Sequence, residues 1–455
     1  MRDRTRAGVD AGIRPKWADE TGRLVPEVPL EMAFTKAAVE ELSALHGEPE
    51  WLRARRLAAF GVFEGMSLPD TRRNEDWKQV DLKALNLEAY APFQQPNGAV
   101  PAGRLESVGA TLYQRGTSPA VASIAADLSQ RGVILMPLAA AASAYPELVQ
   151  RYLFSAVKPE RDKFAALHAA LFSGGSFLYV PDGVTVEQPL VSQFWSAGPG
   201  AAVLPHSLII AGKGSRFQYV DEFLSNNRDE TSLASGSSEI FLEEGADVGY
   251  VALQHWSVKT WQFANQRFHL GRDARLQMVD VALGGHLARL RVEAMLEGPG
   301  SSANLKGLFF GTGEQAFDFR TLQDHVGPHT TSDLLFKGAL RDQAKSVYVG
   351  VVRVEAAARG SSSNQANRNL LLSEKAKATS EPILEILNND ILRCSHGATV
   401  GPVDPEHLFY LESRGIPRPT AERMLVQGFL GEVLDRIPVA QVRDAVDQEL
   451  AARID

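Results

Sequence analysis

Between about residues 175 and 392 the chain repeats a pattern without repeating its sequence. Short β-branched and aromatic runs stand between glycines, among them FLYV, HSLIIAG, RFQYVDEF, SEIFLEEG, VGYVALQ, RLQMVDVAL and SVYVGVVRV. Each alternates with period two, which marks a strand rather than a helix. A small residue opens such a run at Ser215, Ala246, Ala274, Ala303, Ala344 and Ala376, in steps of 31, 28, 29, 41 and 32 residues. Near-even spacing with degenerate sequence is what a β-solenoid produces, because each coil touches only its neighbours and stacks a continuous core. A large β-sandwich with regular hairpins meets the same pattern, so periodicity alone leaves two architectures open.

The flanks read as helix. From about 28 to 90, the segment PLEMAFTKAAVEELSALHGEPEWLRARRLAAFGVFEGM sets apolar residues three and four apart, and the Gly47–Pro49 break divides two helices. LPDTRRNEDWKQVDL (68–82) crowds charge around Trp77, and 91–125 reads as a loose connector. Residues 126–172 are mixed, with helix over PERDKFAALHAALFSG. After 403 helix returns. Asp404 is an N-cap, Pro405 suits the first helical position, and Gly415 supplies a left-handed stop. Thr420 opens a second helix with a stripe of Leu425, Phe429, Val433 and Ile437. Pro438 starts a third, striped by Val439, Val442, Val446, Leu450 and Ile454. Such stripes favour internal packing, with a docking face as the alternative. The expected organisation is a flexible arm (1–27), an N-terminal helical domain with connector (28–125), a β-core with a leading helical segment (126–392) and a C-terminal helical domain (393–455).

Several classes of function are disfavoured. With 47 basic against 55 acidic residues, the net charge of −8 argues against a nucleic-acid groove. The arm is arginine-rich but has no apolar centre, unlike a secretory signal. The longest near-apolar run (132–145) is too short and too proline-broken to span a bilayer. A single cysteine excludes an intramolecular disulfide, and the expected setting is a reducing cytoplasm. No GxxxxGK[ST], HExxH, GxSxG or paired CxxC occurs. His325 and His329 are four apart, but Gly327–Pro328 forbids the helix that would align them, so they read as turn residues. Glu243–Glu244 beside Gly245 read the same way. β-Solenoids also host polysaccharide-cleaving enzymes with carboxylates along one face. No compact constellation of that kind stands out, and that reading is kept as an alternative.

The lone cysteine lies in LRCSHGATVGP (392–402), with Cys394 two residues before His396. Thiolate and imidazole are common ligands for zinc and for iron–sulfur chemistry. In extended chain, residues i and i+2 share a face, so both groups can approach one metal. Two ligands do not fill a four-coordinate site. Either the pair is ordinary structure, with Cys394 as a small buried hydrophobe, or it is half of a site that another chain completes.

The segments around it carry a resemblance. HVGPHTTSDLLFKGAL (325–340), NQANRNLLLSEKA (364–376) and CSHGATVGPVDPEHLFYLESRGIP (394–417) resemble the SufB/SufD family of iron–sulfur cluster assembly proteins. RRNEDWKQVDL (72–82) and KFAALHAALFSGGSFLYVPDGVTVEQPL (163–190) are similar to the family's earlier patterns, so the likeness covers nearly the whole chain past the arm. It is nearer to the SufD branch: His396 is followed by Gly-Ala-Thr rather than the glutamate of the SufB branch, and further cysteines are lacking. The resemblance implies a mainly β fold, a right-handed parallel β-helix flanked by N- and C-terminal helical domains. It implies pairing with SufB through the β-helix and with the ATPase SufC through the C-terminal helices, where Leu408, Phe409, Leu411, Arg414, Gly415, Met424 and Phe429 are candidate contacts. The chain is then a non-catalytic scaffold subunit, whose C-terminal helices are expected to reorient when SufC binds ATP. An iron–sulfur cluster is shared transiently with SufB, and a flavin is possible in the complex. His396 matches a SufD histidine opposite a SufB cysteine, and Cys394 matches a neighbouring cysteine of that branch. A SufB-like homodimeric scaffold remains the alternative.

Overall fold

The computed structural model describes residues 34–93 and 107–454. The arm expected over 1–27 and part of the connector (94–106) lie outside these residues. The periodic region is a β-solenoid of about eight turns, whose successive strands alternate between two facing ten-stranded sheets. In spatial order the first sheet holds β2 (Val121–Ile124), β1 (Ala110–Arg115), β5 (Leu190–Trp195), β8 (Arg216–Leu224) and β10 (Asp247–His255). It continues through β12 (Arg275–Ala282), β14 (Ser302–Gly311), β16 (Thr331–Leu340) and β18 (Ser361–Leu371) to β20 (Ile391–Pro402). The second runs from β19 (Lys377–Ile386) through β17 (Lys345–Val354), β15 (Ala316–His325), β13 (Leu287–Leu296) and β11 (Thr260–Leu270). It ends with β9 (Ser232–Leu242), β7 (Pro205–Ala211), β4 (Gly174–Val180) and β3 (Ile134–Pro137), while β6 (Ala201–Val203) pairs β9 alone. Pairing is parallel except at the first end, where β1–β2 and β3–β4 are antiparallel.

Two expectations are corrected here. The region 91–125 is not only connector: β1 and β2 extend the first sheet, with Leu112 fully buried. Their short polar-flanked runs lacked a signal because the neighbouring strands that complete them are distant in sequence. The small-residue register also changes sheet along the chain. Ser215, Ala246 and Ala274 each immediately precede a strand of the first sheet and are fully buried. The next equivalent is Ser301, since Arg275 pairs with Ser302, and Ala303 lies two positions on. Ala344 and Ala376 precede β17 and β19 in the second sheet, so the long 41-residue step includes a crossing between sheets.

Parallel stacking puts the same inward position of every coil in one column. One column runs Phe217, Val248, Leu276, Ala303, Ser332, Ser363 and Cys394; the next runs Tyr219, Tyr250, Met278, Leu305, Leu334, Gln365 and His396. The outward faces are covered by helix. Over the second sheet lie α1 (Lys36–Leu45), α2 (Glu50–Gly65), α4 (Leu138–Ala144), α5 (Pro146–Tyr152) and α6 (Lys163–Leu171), while α3 (Ala126–Gln130) follows β2. Thr35 caps α1 by accepting from Ala38 N at 3.1 Å, and Phe164 of α6 stacks on Phe263 with ring centroids 3.5 Å apart. His168 of α6 lies 2.7 Å from Ser235 O and 3.0 Å from His206 Nδ1, and His206 Nε2 is 3.1 Å from Glu239. Glu239 also accepts the N–H groups of Phe154, Ala156 and Val157, which anchors the turn before α6.

The C-terminal helices are α7 (Pro405–Ser413), α8 (Arg418–Leu434) and α9 (Ala440–Ile454). Asp404 caps α7, accepting from Glu406 N at 2.8 Å, and Gly415 has φ +84°, as expected. α8 starts at Arg418 rather than Thr420, because Pro419 fits its first turn. Its buried stripe is Ala421, Val426, Leu430, Val433 and Leu434, continued by Ile437, and Leu425 and Phe429 are only half-buried. The α9 stripe is buried as expected. Both helices pack on the outer face of the first sheet, against Val251, Val279, Leu308, Phe310 and Leu335. Lys337 pins α8 there, donating to Phe429 O at 2.8 Å and to Glu432 at 2.5 Å.

The bore of the solenoid holds two buried carboxyls. Asp221 accepts from Ser207 Oγ at 3.0 Å and Tyr250 OH at 2.9 Å, and burial raises its pKa to about 6. Asp280 accepts only from Gln266 Nε2, at 2.9 Å; it lines a cavity with Trp256 and Ala264, and burial raises its pKa to about 7. Both values exceed the unfolded carboxyl value of roughly 4, so the native chain holds the extra protons. The contribution of these two carboxyls to stability should therefore fall as pH rises from about 4 to about 7, against the opposite contribution of buried histidines such as His325. Asp280→Asn should remove on the order of 2 kcal/mol of that fall, read by urea unfolding at pH 5 and pH 8. An unchanged difference between the two pH values would refute this assignment.

Candidate functional site

Cys394 and His396 both lie on β20, inside the last coil of the solenoid. The expected boundary at 393 thus falls within a strand rather than before the helices. β19 and β20 are the outermost strands of their sheets and have no further strand beyond them among the described residues. Such edges present unpaired backbone N–H and C=O groups. The same coil carries apolar exposure: Leu392 is 78% exposed and Leu387 59%, with Ile383, Ile386 and Val400 also open. Leu392 is the extra residue of a β-bulge, since Ser361 pairs with Ile391 and Ser362 with Arg393. Pro382 is compatible with β19 because an edge strand tolerates a missing donor.

The columns give both side chains their direction. Ser363 lies directly below Cys394 and Gln365 below His396, and Ser363 and Gln365 are buried in the bore. The extended-chain expectation that 394 and 396 share a face therefore holds, and that face is the open mouth of the bore. Cys394 is half-buried against Val352, Val354 and Ala358, and this burial raises its thiol pKa, leaving it mostly protonated near neutrality. His396 is exposed. Between them Ser395 points outward and donates to Asn364 Oδ1 at 2.9 Å, while Asn364 donates to Asp333 at 2.8 Å. Among the described residues no three His, Cys, Asp or Glu side chains converge as a metal site. The described residues thus bring one thiol and one imidazole to the same open edge.

The other sequence candidates fall elsewhere. His325 ends β15 fully buried, 2.7 Å from Thr330 Oγ1 and 2.8 Å from Ser332 Oγ, and burial lowers its pKa to about 4. His329 sits in the following turn with φ +58°, so the two do not form a metal pair. Glu243 and Glu244 lie at the turn between β9 and β10. On α7, Leu408 is buried, Leu411 half-buried and Phe409 71% exposed; Arg414 lies 5.2 Å from the ring centre of exposed Tyr410. Met424 of α8 is exposed, and Phe429 is half-buried beneath Lys337. Pro405, Glu406, His407, Phe409, Tyr410 and Ser413 line a shallow groove. Tyr410 was absent from the sequence candidates, although its place beside Phe409 on the first turns of an under-buried helix is the signal that finds it. Ser363 and Gln365 were missed because a column exists only once the coils are stacked.

The fold is a β-solenoid scaffold whose last coil is left open among the described residues. A family model described as the SufBD core domain of the SUF system for FeS cluster assembly matches residues 194–429, and one for the SufBD N-terminal region matches 120–191. The chain is 32% identical to the iron–sulfur cluster assembly protein SufD of Bacillus subtilis, across 91% of this chain and 96% of that protein. It is 27% identical to SufBD family proteins of Staphylococcus haemolyticus and Staphylococcus aureus, covering 90% of each partner in both alignments. The chain belongs to the SufBD family of iron–sulfur cluster assembly proteins. Among the described residues no helix is long and apolar enough to cross a membrane.

Proposed function

We propose that this chain is the SufD-type scaffold subunit of a cytoplasmic SUF complex, and that its terminal coil is half of a cluster-building site. The observation that carries this is the mouth of the bore, where Cys394 and His396 end two side-chain columns at an edge with unpaired strands and exposed Leu387 and Leu392. SufB extends both sheets from that edge, its strands pairing with β19 and β20 and its side chains supplying the missing ligands. Such edge-to-edge addition draws affinity from main-chain hydrogen bonds and specificity from alternate side chains. The cluster is cargo: His396 offers a nitrogen ligand or admits iron, and Cys394 stands beside it, half-shielded. A site split between chains holds a growing cluster and frees it when the interface opens. The same edge also accepts a second copy of this chain when SufB is lacking.

SufC docks on α7 and the neighbouring face of α8, where Phe409, Tyr410 and Met424 are exposed. The apolar packing of α8 and α9 limits nucleotide-driven reorientation to α7, which buries only Leu408 and is hinged at Gly415. α7 begins three residues after β20 ends, so its movement is transmitted to the strand that carries His396.

In complex purified with SufB and SufC, His396→Ala should lower iron and sulfide content while co-purification stays intact. Wild-type iron and sulfide content in that variant would contradict the assignment. Phe409→Asp should weaken SufC capture by roughly 30-fold or more, about 2 kcal/mol, and leave SufB capture unchanged. Equal SufC retention by the variant and the wild type would place the docking face elsewhere.

A further inference from the structure

The two columns that end at the site change chemistry as they approach it. The Tyr219 column is aromatic or apolar through Leu334 and then switches to Gln365 beneath His396. A buried amide in a column of Met and Leu stabilises nothing unless its donors and acceptor find partners. Gln365 is 0% exposed; the Tyr348 hydroxyl is its polar neighbour and interacts with one end of the amide, which leaves the rest of the amide's hydrogen-bonding capacity unfilled. Room for this amide is kept open from the facing sheet. A Cβ on Gly350 would collide with both Gln365 Nε2 and the Tyr348 hydroxyl, and that hydroxyl is engaged by Thr321 Oγ1 at 2.8 Å. Stacked strands are about 4.8 Å apart, so the polar side chain next along the column from Gln365 is the His396 imidazole.

We infer that Gln365 is the positioning residue of His396, using the amide capacity that Tyr348 leaves unfilled to fix the ring's tautomer and turn its other nitrogen out of the bore. The inference rests on the reading of His396 as a cluster-site group, and it names what makes that exposed histidine a directed ligand rather than a free rotor. An imidazole nitrogen held by a hydrogen bond defines which nitrogen is left to bind metal. An amide suits this task because it can donate to one tautomer or accept from the other without adding charge to the bore. Ser363, below Cys394, is already committed to Ser332 Oγ at 2.8 Å, so the neighbouring column does not offer His396 an equivalent partner.

The test uses the full-length chain with 15N-labelled histidine, the His396 signals being assigned by their loss in His396→Ala. Gln365→Leu continues the Leu305–Leu334 column and should melt no lower than wild type, which keeps folding out of the readout. It should change the ratio of the two neutral His396 tautomers and move the ring's titration midpoint by about half a pH unit or more. Gln365→Glu places a carboxylate under the ring and should raise that midpoint by about one unit or more. His396 signals identical in wild type, Gln365→Leu and Gln365→Glu would overturn the inference. A changed His396 signal with normal iron and sulfide content in the SufB–SufC complex would uphold the positioning role and remove His396 from the cluster site. A changed signal with reduced content would uphold both.

Discussion

Everything in this molecule depends on the stacking of one parallel coil on the next. In a parallel ladder a residue sits over its counterpart, so each inward column is a continuous file of side chains along the solenoid. Aromatic and aliphatic rungs such as Tyr219, Tyr250, Met278, Leu305 and Leu334 bury their surface against one another and hold both sheets together. Each sheet is also covered outside, by the N-terminal helices on one face and by α8 and α9 on the other. The middle coils are therefore rigid on every side. What is left incomplete is the end of the stack.

That end is what sets two otherwise ordinary residues apart, and it is the basis of the function proposed for them. A column cannot stop without exposing its last rung, and the last rungs here are Cys394 and His396. Among the described residues no strand pairs with the backbone above them, and Leu387 and Leu392 of the final coil stay exposed. A solenoid that was only a spacer would end in a capping element with a polar outer face. Among the described residues this one ends in Leu387, Leu392 and Val400, with polar interior rungs directly beneath half-buried Cys394 and exposed His396. The fold's supply of stability and its supply of chemistry thus lie on the same columns, separated by position along the stack.

Much of this was legible in the sequence, and the missing parts share a cause. Period-two runs and caps at Asp404 and Gly415 depend on neighbours within a few residues, and both were readable. The β-runs at 216–224, 247–255 and 275–282 were found for the same reason. Leu425 and Phe429 were misread as buried because the apolar face of α8 is decided by the sheet it meets, and Val426 and Leu430 face that sheet instead. β1 and β2 went unseen since their partners lie far along the chain. The sheet change hidden in the 41-residue step, and the place of Gln365 under His396, follow from the stacking register. Pairings such as Leu334 with Gln365 and Gln365 with His396 link residues about thirty apart, which local pattern does not encode.

In the proposed complex the terminal coil is an unfinished surface which a partner's strands complete. Amide hydrogen exchange of the full-length chain, kept monomeric by dilution and then mixed with SufB, tests it directly. New protection is expected only at 377–386 and 391–402, with the coils at 216–282 unchanged. Protection gained instead at 121–124, or on the helices with the last coil still exchanging freely, would contradict it.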